Sequence, residues 1–493
     1  MGHIIDPNSL HRTAKYFMDN GRAQSHDEAM TLLAQFGLTI IVGQEVTGSI
    51  HHQNALLTLV NMAARTLLGG VDVVGLPDTQ SLTPLAPKRS LKQAVIELGG
   101  RVSTAANDAW PSAVLGDAAG PTTKLPCWRI TWNGWRGGVI QLREEKRLQE
   151  DEAIAIAPLL AAATCAAEAF AYHAGDHSMA GRRPLGLSLW NPDADWLADD
   201  ATESDLCFLP SRLWMIGLGN LGQAYAWLLA SLPYEDRGLV ELVLNDFDRI
   251  APSNESTSVL SRKVDIKRRK TRVVAEWLEE RGFTTFLEER RFGEWIKRAP
   301  DEPGVALCGV DNALARSALE KPGFGLVVEA GLGGGPEAFR SISLHTFPAS
   351  RSAEEIWSRQ VGQGEQNVEA MPAYLQLKRQ GLDSCGLAQL ASRTVGVPFV
   401  GVIAACLVFS ELLRRLNGGR AFEVLSGSVA ALGDLETISM LSKPYAFGHL
   451  PAARYSTERD VCVGEGRAVA VRVTGNRDSR MGSPSTARRA LQG

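Results

Sequence analysis

The sequence predicts an α/β protein built from two parallel-sheet halves in tandem, and three observations carry that prediction. A β-branched run from Leu38 to Val42 stops at Gly43, and is followed by the apolar-periodic stretch HHQNALLTLVNMAARTLL, a double glycine and VDVVG. That is a strand, a turn, a helix and a second strand. The same order returns from Arg212 as RLWMIG, GNLGQAYAWLLASL and LVELVLNDFD. Finally, LLGGVDVVGLPD and DRGLVELVLNDFD occupy the same place in the two units, which reads as an internal duplication of one Rossmann-like half.

At 493 residues the chain is too long for a single ordinary core. With 45% hydrophobic and 22% charged residues it has the balance of a soluble globular protein, and a net charge of -4 gives no electrostatic footprint for nucleic acid. The seven cysteines are scattered without a C-x-x-C pair, which fits a reducing compartment and lacks zinc-knuckle spacing. The first residues, MGHIIDPNSLHRTAKYF, have no apolar core of a signal peptide. The apolar run from Val397 to Leu413 is broken by Pro398, Gly401, Ser410 and Glu411, so it reads as a buried helix rather than a membrane span. A cytoplasmic protein is expected, with neither nucleic acid nor membrane as partner. The expected divisions are a first domain over 1–190, an acidic, turn-rich linker over 191–210, a second domain over 211–443, and a C-terminal extension over 444–493 ending in a disordered tail.

Gly217-Leu218-Gly219-Asn220-Leu221-Gly222 is a G-x-G-x-x-G between a predicted strand and a predicted helix. The first glycine permits the tight turn, the second lets a phosphate approach bare backbone, and the third allows close helix packing. Asn220 and Leu221 then begin the helix whose N-terminus would receive the anion. The next strand ends in Asn245-Asp246-Phe247-Asp248, where Asp246 is placed to accept from ribose hydroxyls and Asp248 stands beside it. These residues alone fit a NAD-dependent oxidoreductase equally well.

The residues beyond Asp248 separate the two readings. After the acidic strand come Ser253-Asn254, a basic run ending at Lys270, and a strand ending in Asp311-Asn312 with Arg316 beyond it. In this order the motifs resemble those of the ThiF/MoeB/ubiquitin-activating superfamily, whose adenylation domains carry G-x-G-x-x-G, D-x-D, S-N-x-x-R-Q, a lysine and D-N-x-x-x-R. The likeness spans roughly residues 205 to 420. It implies that Lys270 contacts the phosphates of ATP, that Asn254 positions the triphosphate, and that Asp311, with Asn312 in the same motif, binds Mg²⁺. Such residues suit attack of a carboxylate on the α-phosphorus, where triphosphate charge must be neutralised. One departure stands out: Thr257 and Ser258 replace the family's arginine and glutamine. Arg262, Arg268 or Arg269 is the expected substitute.

Gly381-Leu382-Asp383-Ser384-Cys385-Gly386 precedes a helix that opens Pro398-Phe-Val-Gly401 and carries Glu411. The family places a catalytic cysteine in a crossover segment before such a helix. Cys385, in a polar loop flanked by Ser384 and Gly386, is therefore the expected nucleophile, and the crossover loop spans about 360–397. The stretch from Gln360 to Arg379 is long and polar, which suits a lid or a docking element. Cys165, Cys308 and Cys406 sit in apolar surroundings and read as buried small residues. No histidine has metal-ligand spacing.

The first half looks like an adenylation domain that has decayed. Its turn, Gly43-Gln44-Glu45-Val46-Thr47-Gly48, lacks the glycine pair, and Glu45 would set a negative charge beside any phosphate. An inactive and an active adenylation domain in one chain, forming a pseudo-dimer, are similar to the activating enzymes of bacterial ubiquitin-like conjugation operons, some of which are antiphage systems. The resemblance implies a ubiquitin-like protein as substrate, ATP and Mg²⁺ as cofactors, a thioester on Cys385, and a ubiquitin-conjugating-type enzyme as acceptor. Arg12 or Arg22 would lend an arginine to the ATP site across the interface, and a homodimer is also compatible. The competing readings are a sulfur-carrier adenylyltransferase, a NAD-dependent oxidoreductase and a non-catalytic scaffold.

Overall fold

A computed structural model describes residues 7–144, 146–151, 153–358 and 370–453. The expected disordered tail, with Cys462 before it, and the 360–369 part of the crossover lie outside the described residues.

The first half contributes β1 (Gly37–Val42), β2 (Gly70–Val74), β3 (Arg101–Ser103), β4 (Ser112–Leu115), β5 (Cys127–Asn133), β6 (Arg136–Gln141) and β7 (Leu185–Ser188). They form a seven-stranded sheet in the order β3-β2-β1-β4-β5-β6-β7. Neighbours from β3 to β5 are parallel, and β6 and β7 are added antiparallel.

Beyond the short β8 (Phe208–Pro210), the second half supplies β9 (Arg212–Ile216), β10 (Glu241–Asn245), β11 (Thr284–Glu288), β12 (Val305–Cys308), β13 (Leu326–Leu332), β14 (Ser341–Phe347), β15 (Ala421–Ser428) and β16 (Ala431–Met440). This eight-stranded sheet runs β11-β10-β9-β12-β13-β14-β15-β16. Its first five strands are parallel and the rest antiparallel. β17 (His449–Pro451) returns to pair with β8. The strand order and directions of the first sheet thus recur from β9 to β15, which is the topology a duplicated Rossmann-like half requires.

Two long helices occupy the same place in the two halves, each running into the last shared strand. Ala157–Ala174 precedes β7 and Pro398–Leu416 precedes β15. Both are apolar almost all round, as helices buried on every side must be. They pack against each other and against the helices Ile50–Thr66 and Asn220–Ser231 that come after the two turns. One hydrophobic cluster therefore runs through both halves, and all described residues fall in a single compact unit. No helix among them is long and apolar enough to cross a membrane.

Two expectations need correction. The expected strand over LVELVLNDFD is only Glu241–Asn245, because Arg237–Leu239 closes a 3-10 turn that Asp236 caps. The polar loop to Arg379 is partly helical: Pro372 starts a helix over Pro372–Arg379 whose Ala373, Tyr374 and Leu377 are buried. Pro at the first helical turn and an apolar face at spacings of three and four explain it.

Candidate functional site

Open α/β sheets bind ligands at the carboxyl ends of the strands, where the strand order reverses. In the second sheet that point lies between β9 and β12, and Gly217 is there. Its φ is +82°, and a Cβ would stand 2.7 Å from Val310 Cγ1 on the neighbouring crossing. Gly222 packs so closely under the turn that a Cβ would collide with the Gly217 carbonyl oxygen. Gly219 differs from both, because a Cβ there would meet nothing within 4 Å. No packing in the protein itself explains that glycine, whereas a phosphate over the N-terminus of Asn220–Ser231 would.

Asp246 is buried beneath this turn. One carboxylate oxygen accepts from the Leu218 N–H at 2.7 Å and the other from the Asp248 N–H at 2.8 Å. Each oxygen keeps a second lone pair for a ligand hydroxyl. Lys270, the first residue of the helix Lys270–Glu279, lies 2.9 Å from Asp248 and 3.8 Å from Asp246. Its side chain is mostly buried, so the charge is held at the strand ends rather than waving in solvent. Asn254 lies in the 3-10 turn Pro252–Ser256 and its Oδ1 accepts from the Ala251 N–H at 2.8 Å. Its carbonyl receives the N–H groups of Thr257 and Ser258.

The D-N-x-x-x-R stretch also has a local logic. Asn312 caps the helix Ala313–Ser317, accepting from Leu314 and Ala315. The Arg316 guanidinium donates to the carbonyls of Val310 and Ala330, rivetting the ends of β12 and β13 together. Asp311, held between these anchors, is exposed. A cavity of about 350 Å³ reaches Arg316 and is lined also by Gly331, Gly333, Ser343, Trp357 and Gly427. Trp357 lies under the Arg316 guanidinium at 4.5 Å, and its buried indole N–H has no partner.

No three His, Cys, Asp or Glu side chains converge as a metal cage among the described residues. The donor set instead fits Mg²⁺, which keeps several waters and is held by one or two carboxylates together with substrate phosphates. Asp311 would supply the carboxylate.

The arginines expected to stand in for the one missing at Thr257 are engaged elsewhere in this structure. Arg262 and Arg268 pair with Asp265, and Arg269 donates to the Phe247 carbonyl. Arg22 donates to the Ala174 carbonyl and covers the Phe17 ring, facing its own half. Arg12 contacts the turn beside Thr257. Its N–H donates to Ser256 Oγ at 3.1 Å, and its guanidinium donates to the carbonyl and hydroxyl of Thr394. A Cβ on Gly396 would lie 2.6 Å from Thr257 Cγ2 and 3.3 Å from Arg12 Cβ, so Arg12 and Thr257 flank the same glycine. Burial lowers the Arg12 pKa to about 10, helped by the charge of Arg393 and opposed by that of Asp311.

Cys385 is exposed, but it is not in a loop. It is the second residue of the helix Ser384–Ala391, capped by Asp383, whose Oδ1 accepts from the Gly386 N–H at 2.7 Å. The helix packs on the turn Pro7–Ser9, which leads to Arg12. The chain after it reaches Val397, whose carbonyl receives the Asn220 side-chain amide at 3.1 Å. The Asn220 side chain therefore serves the crossover, and its backbone is what remains for a phosphate. Cys165, Cys308 and Cys406 are buried, and burial raises all three thiols, Cys308 to about 12. Cys207, which no sequence motif singles out, is exposed as well.

The corresponding turn of the first sheet is filled from within. The Glu45 carboxylate crowds the places where Cβ atoms on Gly43 and Gly116 would stand, and its buried Oε2 has no hydrogen-bond partner. Around it His52 faces Glu150 at 3.6 Å and Arg147 bonds Glu150 and Asp117.

The chain is similar to known proteins along most of its length. A family model described as the BilD N-terminal domain matches residues 37–189, and one described as the BilD C-terminal domain matches residues 209–419. The bacterial E1-like protein BilD of Collimonas sp. (strain OK412) is 61% identical over 452 residues, 92% of this chain and 98% of that protein. Among solved structures, E. coli MccB with ATP is matched at 13% identity and a TM-score of 0.31 over 48% of this chain and 65% of that one. PaaA is matched at 18% identity and a TM-score of 0.30, over 47% of this chain and 65% of that one. This chain spans less than two thirds of either protein.

Proposed function

The chain belongs to the BilD family of bacterial E1-like proteins, and on that footing we propose that it uses ATP to adenylate the C-terminal carboxylate of a ubiquitin-like protein and then captures that carboxyl group on Cys385. One observation carries the reading. Gly219, Asp246 and Asp311 follow the carboxyl ends of the adjacent parallel strands β9, β10 and β12, Lys270 lies 3.8 Å from Asp246, and the charge of Asp311 acts on Arg12 of the N-terminal segment. The equivalent crevice of the first sheet is closed by Glu45.

In this reading the N–H groups of the glycine turn hold phosphate, Asp246 accepts from the ribose, and Lys270 leaves Asp248 for the triphosphate. Arg12 adds the cation that Thr257 lacks. Magnesium held by Asp311 would neutralise triphosphate charge. An oxygen of the partner's carboxylate attacks the α-phosphorus, a P–O bond forms, and pyrophosphate leaves. The tail carrying that carboxylate would lie in the cavity beside Arg316 and Trp357. The Cys385 thiolate then attacks the acyl carbonyl, AMP leaves, and the thiol proton goes to solvent. Because Cys385 lies on a separate short helix, the two steps need movement of that helix, as active-site segments commonly provide. A conjugating-type enzyme would receive the thioester. A NAD-dependent oxidoreductase is disfavoured because it has no use for Lys270, Asp311 or Arg12.

ATP–pyrophosphate exchange, run with a candidate ubiquitin-like protein as substrate, tests the reading. Exchange that needs Mg²⁺ and that partner is expected. Absence of exchange alongside tight NAD binding would reject it.

A further inference from the structure

The loop over 255–261, just after Asn254, hangs between two side-chain clamps. From its own half, Gln223 Oε1 accepts from the Leu260 N–H at 2.9 Å, while Gln223 Nε2 donates to the Leu218 carbonyl of the glycine turn at 3.2 Å and to Ser261 Oγ at 3.0 Å. The other clamp comes from the first half. Arg65, near the end of the helix Ile50–Thr66, donates to the carbonyls of Glu255 at 2.5 Å, Ser261 at 2.9 Å and Val259 at 3.1 Å. Asn61, one turn earlier, accepts from Arg65 Nε at 2.9 Å and donates to the Val259 carbonyl at 3.0 Å. Backbone carbonyls in a buried irregular loop need partners, and these find theirs on the opposite half. Burial lowers the Arg65 pKa to about 10, with the Glu255 carboxylate opposing.

We infer that Arg65, braced by Asn61, is a positioning residue that holds the 254–261 loop in the conformation the triphosphate requires, so the half without a working site sets the nucleotide affinity of the half that has one. This inference rests on the proposed role of Asn254. A planar guanidinium with several fixed donors can hold three divergent carbonyls at once, which an ammonium on a flexible stem does less well. Through Gln223 the same loop is tied to the glycine turn, so a slack loop loosens both phosphate contacts.

The test is calorimetric titration of the full chain with adenosine α,β-methylene triphosphate and Mg²⁺. Arg65→Met should weaken binding by about tenfold or more, and Arg65→Lys should restore part of it. Thr58→Val is the control: it removes the Trp227–Thr58 hydrogen bond across the same interface without touching the loop, and should leave Kd unchanged. If Arg65→Met does not fold, Asn61→Ala and Arg65→Lys decide the matter, and wild-type Kd in both overturns the inference. A Thr58→Val loss as large as that of Arg65→Met also overturns it, since general packing between the halves would then explain the effect. Should Asn254→Ala weaken binding while Arg65→Met does not, the clamp alone is wrong. Should Asn254→Ala and Lys270→Ala both bind as wild type, the nucleotide reading is wrong and the clamp falls with it.

Discussion

The side-chain amide of Asn220 donates to the Val397 carbonyl at 3.1 Å, and its oxygen occupies the space where a Cβ on Gly401 would stand. The glycine turn is thereby tied to the chain that ends the Cys385 crossover. Gly401→Ala should displace the Asn220 amide and lower stability by about 1–3 kcal/mol, the usual cost of overpacking. Thermal melting with and without ATP checks it: the gain on adding ATP should be smaller in the variant. An unchanged melting temperature would mean the contact yields without cost.

The three glycines of the turn should respond differently to substitution. Gly219→Val adds a side chain into open space, so the empty protein should melt as wild type while exchange is lost. Gly222→Ala collides with the Gly217 carbonyl, and should lower the melting temperature itself. If Gly219→Val retains ATP turnover, no phosphate passes over that residue.

The first-half turn should be indifferent to nucleotide. Glu45→Gln changes a half-buried carboxylate whose Oε2 has no hydrogen-bond partner and should leave exchange intact, with stability unchanged or raised. Loss of ATP affinity in this variant would reverse the assignment of working and closed halves.

Acid should weaken the fold through buried imidazoles. Burial lowers the pKa of His11 and of His51 from 6.5 to about 4, with His26 and His52 adding like-charge repulsion. The unfolded chain therefore takes up these protons first, and stability falls as pH drops from about 6.5 to about 4. His11→Gln should flatten that part of a urea-stability profile. A profile as steep as wild type would remove His11 from the account.

Much of the fold and of the layout of the candidate site was legible in the sequence because it is local. The duplicated strand–turn–helix units, the glycine turn, Asp246 at a strand tip and the Asp311-Asn312 stretch are all set by neighbouring residues. Arg65 and Asn61 were not legible, because helical spacing on an apolar-periodic helix looks like any solvated edge until the other half is packed against it. Arg12 could not be told from Arg22, since the choice depends on a contact with Ser256 and Thr394 far along the chain. The helix at Cys385 did have a signal: Asp383 before an apolar-periodic SCGLAQLA is an N-cap and a first turn. The flanking Gly386 and the polar stretch before it pointed instead to a loop.

In the proposed reaction adenylation and capture are separate steps, and Cys385 divides them. The measurement is a non-reducing gel of wild type, Cys385→Ala and Cys207→Ala, each incubated with ATP, Mg²⁺ and the ubiquitin-like partner, beside ATP–pyrophosphate exchange on the same samples. Cys385 and Cys207 are the exposed cysteines among the described residues, so the pair tests position as well as accessibility. The account predicts a thiol-sensitive adduct in wild type and in Cys207→Ala, and exchange without adduct in Cys385→Ala. An adduct that persists in Cys385→Ala, or none in any sample while exchange proceeds, would contradict it.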